Sequence, residues 1–231
     1  MPFTFSHPAI VLPLSKSVHF RRALPFLVIG SMSPDFEYFL RLKLYAVYSH
    51  TWWGVLYFCV PVSLLVYVLY EYVAKPQLMR FYFRETYLSN QGKFTMRSAI
   101  ATIVGILIGA YSHILWDSFT HMDGWFVIRY PEFLQQTFSG IPLYNLFQHG
   151  STLIGGCAVI IFLWYLFGKR PFYLWHQFSY LVIVLFMILF AVMVVYSQQL
   201  TLGYAVVSAI AAGAYAILLT ALIRMFSNSH E

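Results

Sequence analysis

The sequence predicts an all-α fold: a polytopic bundle of about five transmembrane helices, preceded by an N-terminal helical or re-entrant segment. Three observations carry that expectation. Of the 231 residues, 60% are hydrophobic and only 10% are charged, whereas a soluble domain carries roughly a quarter charged residues. The mean hydropathy is +0.70, and the apolar residues are gathered into long runs rather than scattered. Five of those runs reach the length of about 20 residues that a helix needs to cross the hydrocarbon core.

In chain order, Met1 to Ile10 lacks a basic region followed by an apolar one, so no signal peptide is expected. Residues 23–40 begin Ala23-Leu24-Pro25-Phe26 and soon reach Pro34, Asp35 and Glu37. Two prolines and two carboxylates in so short a stretch argue for a short helix or re-entrant piece packed on the bundle. The first span is Thr51 to Val73, opening on Trp52-Trp53, and the second is Ser98 to about His121. Between them, Lys75 to Arg97 mixes Lys75, Arg80, Arg84, Lys93 and Arg97 with Phe and Tyr, the composition of an interfacial amphipathic stretch. The third span runs from about Ser151 to Phe167 and stops at Gly168-Lys169-Arg170-Pro171. The fourth is Phe178 to Tyr196, and the fifth, Leu202 to Met225, has the small residues that suit close helix packing. We read 1–231 as a single membrane domain. Residues 1–50 form the N-terminal segment, 51–170 the first three spans and 171–231 two purely apolar spans.

The net charge of +6 and pI near 9.3 fit basic loops facing anionic lipid, so the lipid bilayer is the expected partner and nucleic acid is not. Cys59 and Cys157 both fall inside apolar runs, and read as small packing residues rather than a disulfide or thiolate metal site. Five spans place the N-terminal region, the 122–150 loop and the 197–201 turn on one face. That face carries six of the 14 Lys and Arg residues and the opposite face eight, which favours a cytoplasmic second face.

The chemistry-bearing residues gather on the first face. His113, Asp117 and His121 recur at i, i+4 and i+8 near the end of the second span, so they share one helix face. Imidazole nitrogen and carboxylate oxygen one turn apart suit a divalent ion such as zinc. The ordinary alternative is a polar helix end at headgroup level beside Trp116. His7 and Asp35 precede the first span, His50 stands at its mouth, and His149 stands at the mouth of the third. Singly, each has an ordinary reading as a cap, a turn residue or a member of the aromatic belt. Together they put five of the eight histidines at one bilayer boundary. His19, His176 and His230 are read as non-ligands. Asp35 or Glu37 would bridge metals or act as base, and Arg41, Lys43 or Arg129 would contact a phosphate unless they only anchor the interface.

The opening Met1-Pro2-Phe3-Thr4-Phe5-Ser6-His7-Pro8, the Ser33-Pro34-Asp35-Phe36-Glu37 run, Ser49-His50-Thr51 and Gln148-His149-Gly150-Ser151-Thr152 resemble an uncharacterised bacterial membrane family, a domain of unknown function. The likeness covers residues 1 to about 170 and carries no activity with it. More loosely, the order His, Pro-Asp, His-Thr, then His-x-x-x-Asp is similar to inner-membrane proteins described as metal-dependent hydrolases. It is also similar to the helical zinc phospholipase C and single-strand nuclease fold, whose ligands hold a multinuclear zinc cluster. This resemblance implies a bacterial inner-membrane location and His7, Asp35, His50, His113, Asp117, His121 and His149 as ligands of zinc. Those enzymes are soluble, and their late His-x-x-x-Glu pair has no counterpart, since Leu153 stands four residues after His149.

The leading expectation is therefore a membrane-embedded metal-dependent hydrolase acting on a phosphoester or lipid-like ester at headgroup level. A transporter of metal ions or protons is the alternative, although spans three to five carry no ionisable residue between their ends. A non-catalytic membrane protein whose polar cluster only ties helices together is the third.

Overall fold

A computed structural model describes residues 3–17, 20, 22–83, 96–167, 176–197 and 201–227. His19, His230, residues 84–95 of the expected interfacial stretch, residues 168–175 of the loop after the third span and residues 198–200 of the last turn lie outside the described residues. Five helices are long and apolar enough to cross a membrane: Trp52–Arg80, Ser98–Arg129, Leu143–Phe167, Ser179–Tyr196 and Leu202–Ser227. Among the described residues, strand occurs only as a pair of two-residue segments, Thr137–Phe138 and Ile141–Pro142. The fold is all-α, and the chain is a multi-pass membrane protein by the length and apolarity of these helices.

We label the helices α1 (Leu24–Met32), α2 (Phe36–Arg41), α3 (Trp52–Arg80), α4 (Met96–Thr120), α5 (Trp125–Arg129), α6 (Pro131–Leu134), α7 (Leu143–Phe167), α8 (His176–Ser197) and α9 (Leu202–Ser227). The chain divides into two compact units. The first comprises Met1–Asp35, Tyr48–Ser63 and Phe94–Lys169, and the second Phe36–Val47, Leu64–Lys93 and Arg170–Glu231. In the second unit, α9 buries Val207, Ala211, Ala212, Ala216 and Ala221, the small side chains that let helices approach closely.

The first unit is built on α4. α1 packs against it at near-backbone distance, because a Cβ on Gly109 would meet the backbone of Leu27 and Ser31. Pro25 sits in the first turn of α1, where its missing N–H costs nothing, and Pro34 sits in the 3-10 turn Ser33–Asp35 that ends the run. Residues 23–40 thus form short helices packed within the protein, as their prolines and carboxylates require. The N-terminus is a 3-10 helix, Thr4–Ile10. It is seated on α7 where a Cβ on Gly155 would fall 2.8 Å from the Ser6 carbonyl oxygen. Ser6 Oγ donates to the Thr152 carbonyl at 2.9 Å, and the Phe3 N–H donates to Thr152 Oγ1 at 3.1 Å.

Two boundaries differ from the hydropathy reading. α7 begins at Leu143 rather than Ser151, because the polar turns before the apolar run still favour helix after Pro142. The helix of the first span continues through Lys75–Phe83 instead of breaking at the basic residues. Of the cysteines, Cys59 is buried beside Val55 and Ala110, whereas Cys157 is exposed on the outer side of α7.

Candidate metal centre

His113 and Asp117 stand one turn apart on α4 and face α1, the N-terminal 3-10 helix and the turn before α3. His113 is fully buried, and its Nδ1 lies 2.7 Å from the Ser31 carbonyl oxygen. A carbonyl can only accept, so Nδ1 carries a proton and Nε2 is the nitrogen left to face the carboxylates. Nε2 lies 3.2 Å from Asp117 Oδ2 and 3.5 Å from Asp35 Oδ1. A backbone carbonyl on the far nitrogen is the arrangement that orients a histidine for ligation. The close approach of α1 at Gly109 is what delivers the Ser31 carbonyl.

Asp35 arrives from the 3-10 turn after α1 and is fully buried. Its Oδ2 accepts the Thr4 hydroxyl at 2.5 Å, which leaves Oδ1 facing the histidines. Burial alone would raise its pKa, but a protonated His113 beside it, helped by His7, would hold the carboxyl below its ordinary value. His50 enters from the turn before α3, which Thr51 caps by donating to the Tyr48 carbonyl and accepting the Gly54 N–H. Its Nδ1 lies 3.0 Å from Ser49 Oγ, and its Nε2 reaches Asp117 Oδ2 at 3.5 Å and Asp35 Oδ1 at 3.7 Å.

His7 completes the inner group. Thr4, His7 and Ile10 recur at the three-residue period of a 3-10 helix and share one side of it. His7 Nε2 lies 3.6 Å from Asp117 Oδ1, and its ring stacks on that of His113 with centroids 3.7 Å apart. Burial lowers its pKa to about 3, so the ring is neutral at pH 7.

The fit to a cation rests on orphaned atoms. Among the described residues, both nitrogens of His7, Asp35 Oδ1, His113 Nε2 and both oxygens of Asp117 are buried without a hydrogen-bond partner. Uncompensated buried carboxylates are costly, so they are normally paired or coordinate a metal. Ligand atoms of a tetrahedral zinc with ~2.0–2.1 Å bonds lie roughly 3.3–3.4 Å apart. The His–Asp separations here run from 3.2 to 3.7 Å. Two triads have their ligand atoms within 4.8 Å of one another: His7, Asp35 and His113, and His50, His113 and Asp117.

The remaining candidates stand differently. His121 is half-buried at the edge, with Nδ1 3.6 Å from Asp117 Oδ1, 3.1 Å from the Asp117 carbonyl and 3.2 Å from Thr120 Oγ1. His149 is exposed in the early turns of α7, and neither triad includes it. Glu37 belongs to the second unit, where its Oε1 accepts Arg41 Nη1 at 2.7 Å and the Val47 N–H at 2.8 Å. Arg41 and Lys43 lie over the Tyr45 ring, and Arg129 over that of Tyr130. The sequence reading missed Thr4 and the Ser31 carbonyl. The three-residue spacing of Thr4 and His7 is a signal for the first, while a backbone carbonyl leaves no mark in a sequence.

No curated protein and no solved structure matches the chain. A family model does match, over residues 1–223, and it spans both the buried histidine–aspartate cluster and the later helices. The chain therefore belongs to the family described as domain of unknown function DUF4184.

Proposed function

We propose that this protein is a membrane-embedded hydrolase that uses divalent cations, most simply zinc, to cleave a phosphoester or a lipid-like ester. The observation that carries the reading is the position of His113 Nε2, which faces two buried carboxylates while its other nitrogen is committed to the Ser31 carbonyl. With Nε2 unprotonated these are three acceptors without a donor among them, and a cation between them would balance their charge.

His113, His50, Asp35 and Asp117 Oδ2 supply one set of ligands. His7 and Asp117 Oδ1, with His121 at the edge, supply a second. The stacking of His7 on His113 favours two sets, because rings only 20° from parallel aim their nitrogens poorly at a single ion. Asp117 would serve both sets, one oxygen to each. A divalent cation held here lowers the pKa of water toward about 7 and polarises an ester oxygen. Asp35, with one oxygen fixed by Thr4 and the other facing the histidines, is assigned to the ligand set rather than to proton transfer. Glu37, engaged by Arg41 and the Val47 amide, is assigned to ordering residues 36–47. His50 and His121, with side chains 23% and 19% exposed, form the rim by which water and substrate enter.

A second reading has an observation of its own: a protonated His113 between Asp35 and Asp117 would balance the same charges without metal. Purification in detergent with metal quantified by plasma mass spectrometry separates the two. The metal reading expects stoichiometric zinc or a similar ion, lost in Asp117→Ala, with chelator-sensitive cleavage of a panel of phosphomonoesters, phosphodiesters and carboxyl esters. Trace metal unaffected by Asp117→Ala sinks it in favour of the protonated cluster. Bound metal with no cleavage across the panel removes the enzyme and leaves a binding protein.

A further inference from the structure

A groove of about 450 Å³ lies within the first unit between the N-terminal 3-10 helix, α4 and α7, and its walls are almost wholly apolar. Ile10, Trp116, Phe119, Thr120, Ser151 and Ile154 are among the residues that line it. Two of its three walls also carry the candidate metal ligands. Ile10 follows His7 by one 3-10 turn and therefore lies on the same side of that helix. On α4, Trp116 and Thr120 immediately precede Asp117 and His121, and Thr120 Oγ1 lies 3.2 Å from His121 Nδ1. The polar cluster and the apolar groove are thus contiguous.

That combination has the chemistry of an amphiphile, with an apolar body in the groove and a polar group beside Asp117 and His121. α4 and α7 both belong to helices of membrane-crossing length. The medium that meets exposed Ile154 and half-exposed Phe119 is therefore lipid rather than water. The volume falls within the ~300–1,000 Å³ of ordinary small-molecule sites, suited to one chain and too small for a folded peptide segment. We infer that this groove is the acyl-chain subsite of the candidate metal centre, so that the substrate is a membrane lipid bearing its ester or phosphoester at the head of one chain. The inference rests on the hydrolase reading and selects the lipid from the substrates that reading allows.

The test uses the metal-loaded full chain in phosphatidylcholine nanodiscs containing a lysophosphatidic acid with a photoactivatable acyl chain. Adducts are mapped by peptide mass spectrometry, and bound metal is measured on the same sample. The expected result is saturable labelling confined to Ile10 and residues 115–120 and 146–154. Excess unlabelled lysophosphatidic acid should displace it about tenfold or more, whereas glycerol phosphate, which has no chain, should not. Ser151→Phe fills the groove and should cut the labelling to a similar degree with metal content unchanged. Ile154→Trp, at an exposed position that folding does not depend on, repeats the measurement at the mouth. Non-saturable labelling that extends evenly to Ile160 and Trp164 on the outer face of α7, with metal retained, overturns the subsite while the hydrolase reading stands. Saturable labelling without bound metal overturns the hydrolase reading, and with it the assignment of the groove to a substrate.

Discussion

His7 and His113 stack face to face, with ring centroids 3.7 Å apart and planes 20° from parallel. One ring comes from the N-terminal 3-10 helix and the other from the last third of α4. The stack divides the cluster, because each ring aims its nitrogen at a different oxygen of Asp117. His7→Ala should therefore lose about half of the bound metal, whereas Asp117→Ala should lose nearly all of it. Metal-to-protein ratios by plasma mass spectrometry check this. Equal, complete loss in both variants would argue for a single ion.

Thr4 holds Asp35 in place through a 2.5 Å hydrogen bond to the oxygen that does not face the histidines. Thr4→Val keeps the shape and removes the donor. It should lower metal affinity about 10–100-fold, the usual effect of losing an outer partner, and reduce the stability of the metal-free protein by about 1–3 kcal/mol. Thr4→Ser should restore most of both. Competition with a fluorescent chelator and thermal unfolding in detergent are the measurements.

Gly109 sets the distance between α1 and α4. A Cβ there would press on the Ser31 amide nitrogen at 2.6 Å as well as on the Leu27 carbonyl oxygen. Gly109→Ala should push α1 outward and lengthen the Ser31–His113 contact. The expected cost is about 1–3 kcal/mol of stability together with weakened metal binding. Gly213 meets no neighbour in the direction of its Cβ, so Gly213→Ala is the control and should leave metal content unchanged. A normal metal content in Gly109→Ala would disconnect the helix approach from the site.

His7 also predicts a pH dependence. Its ordinary pKa is 6.5, and in the folded protein burial lowers it to about 3. Between those values the unfolded chain binds a proton that the native state refuses, so this residue makes the metal-free protein less stable as pH falls from 6.5 towards 3. Replacing it by Gln removes that contribution. The difference in Tm between chelator-treated wild type and His7→Gln should move against the wild type across this window and stay flat above pH 7. A pH-independent difference would mean that His7 is not buried as a neutral ring.

The membrane character of this chain was decided by residues close in sequence. Five apolar runs are local facts, and length against bilayer thickness turns each of them into a helix of crossing length. The i, i+4 and i+8 spacing of His113, Asp117 and His121 is equally local, since helical periodicity alone puts them on one face. Helix ends were less legible: the polar turns at 143–150 join α7 because helix formation does not require hydropathy.

What only the tertiary structure decided is which of the polar residues meet. His7, Asp35, His50 and Asp117 come from four separate elements, brought together where Gly109 and Gly155 let backbones approach. In sequence, His149 is a candidate ligand like them and Glu37 a candidate bridge or base beside Asp35. One stands exposed in the early turns of α7, and the other is engaged by Arg41 and the Val47 amide. The proton on His113 Nδ1, which turns a buried histidine into a candidate ligand, depends on a backbone carbonyl 82 residues away. Ligand direction is set by long-range packing and hydrogen bonding, and neither has a period that a sequence displays.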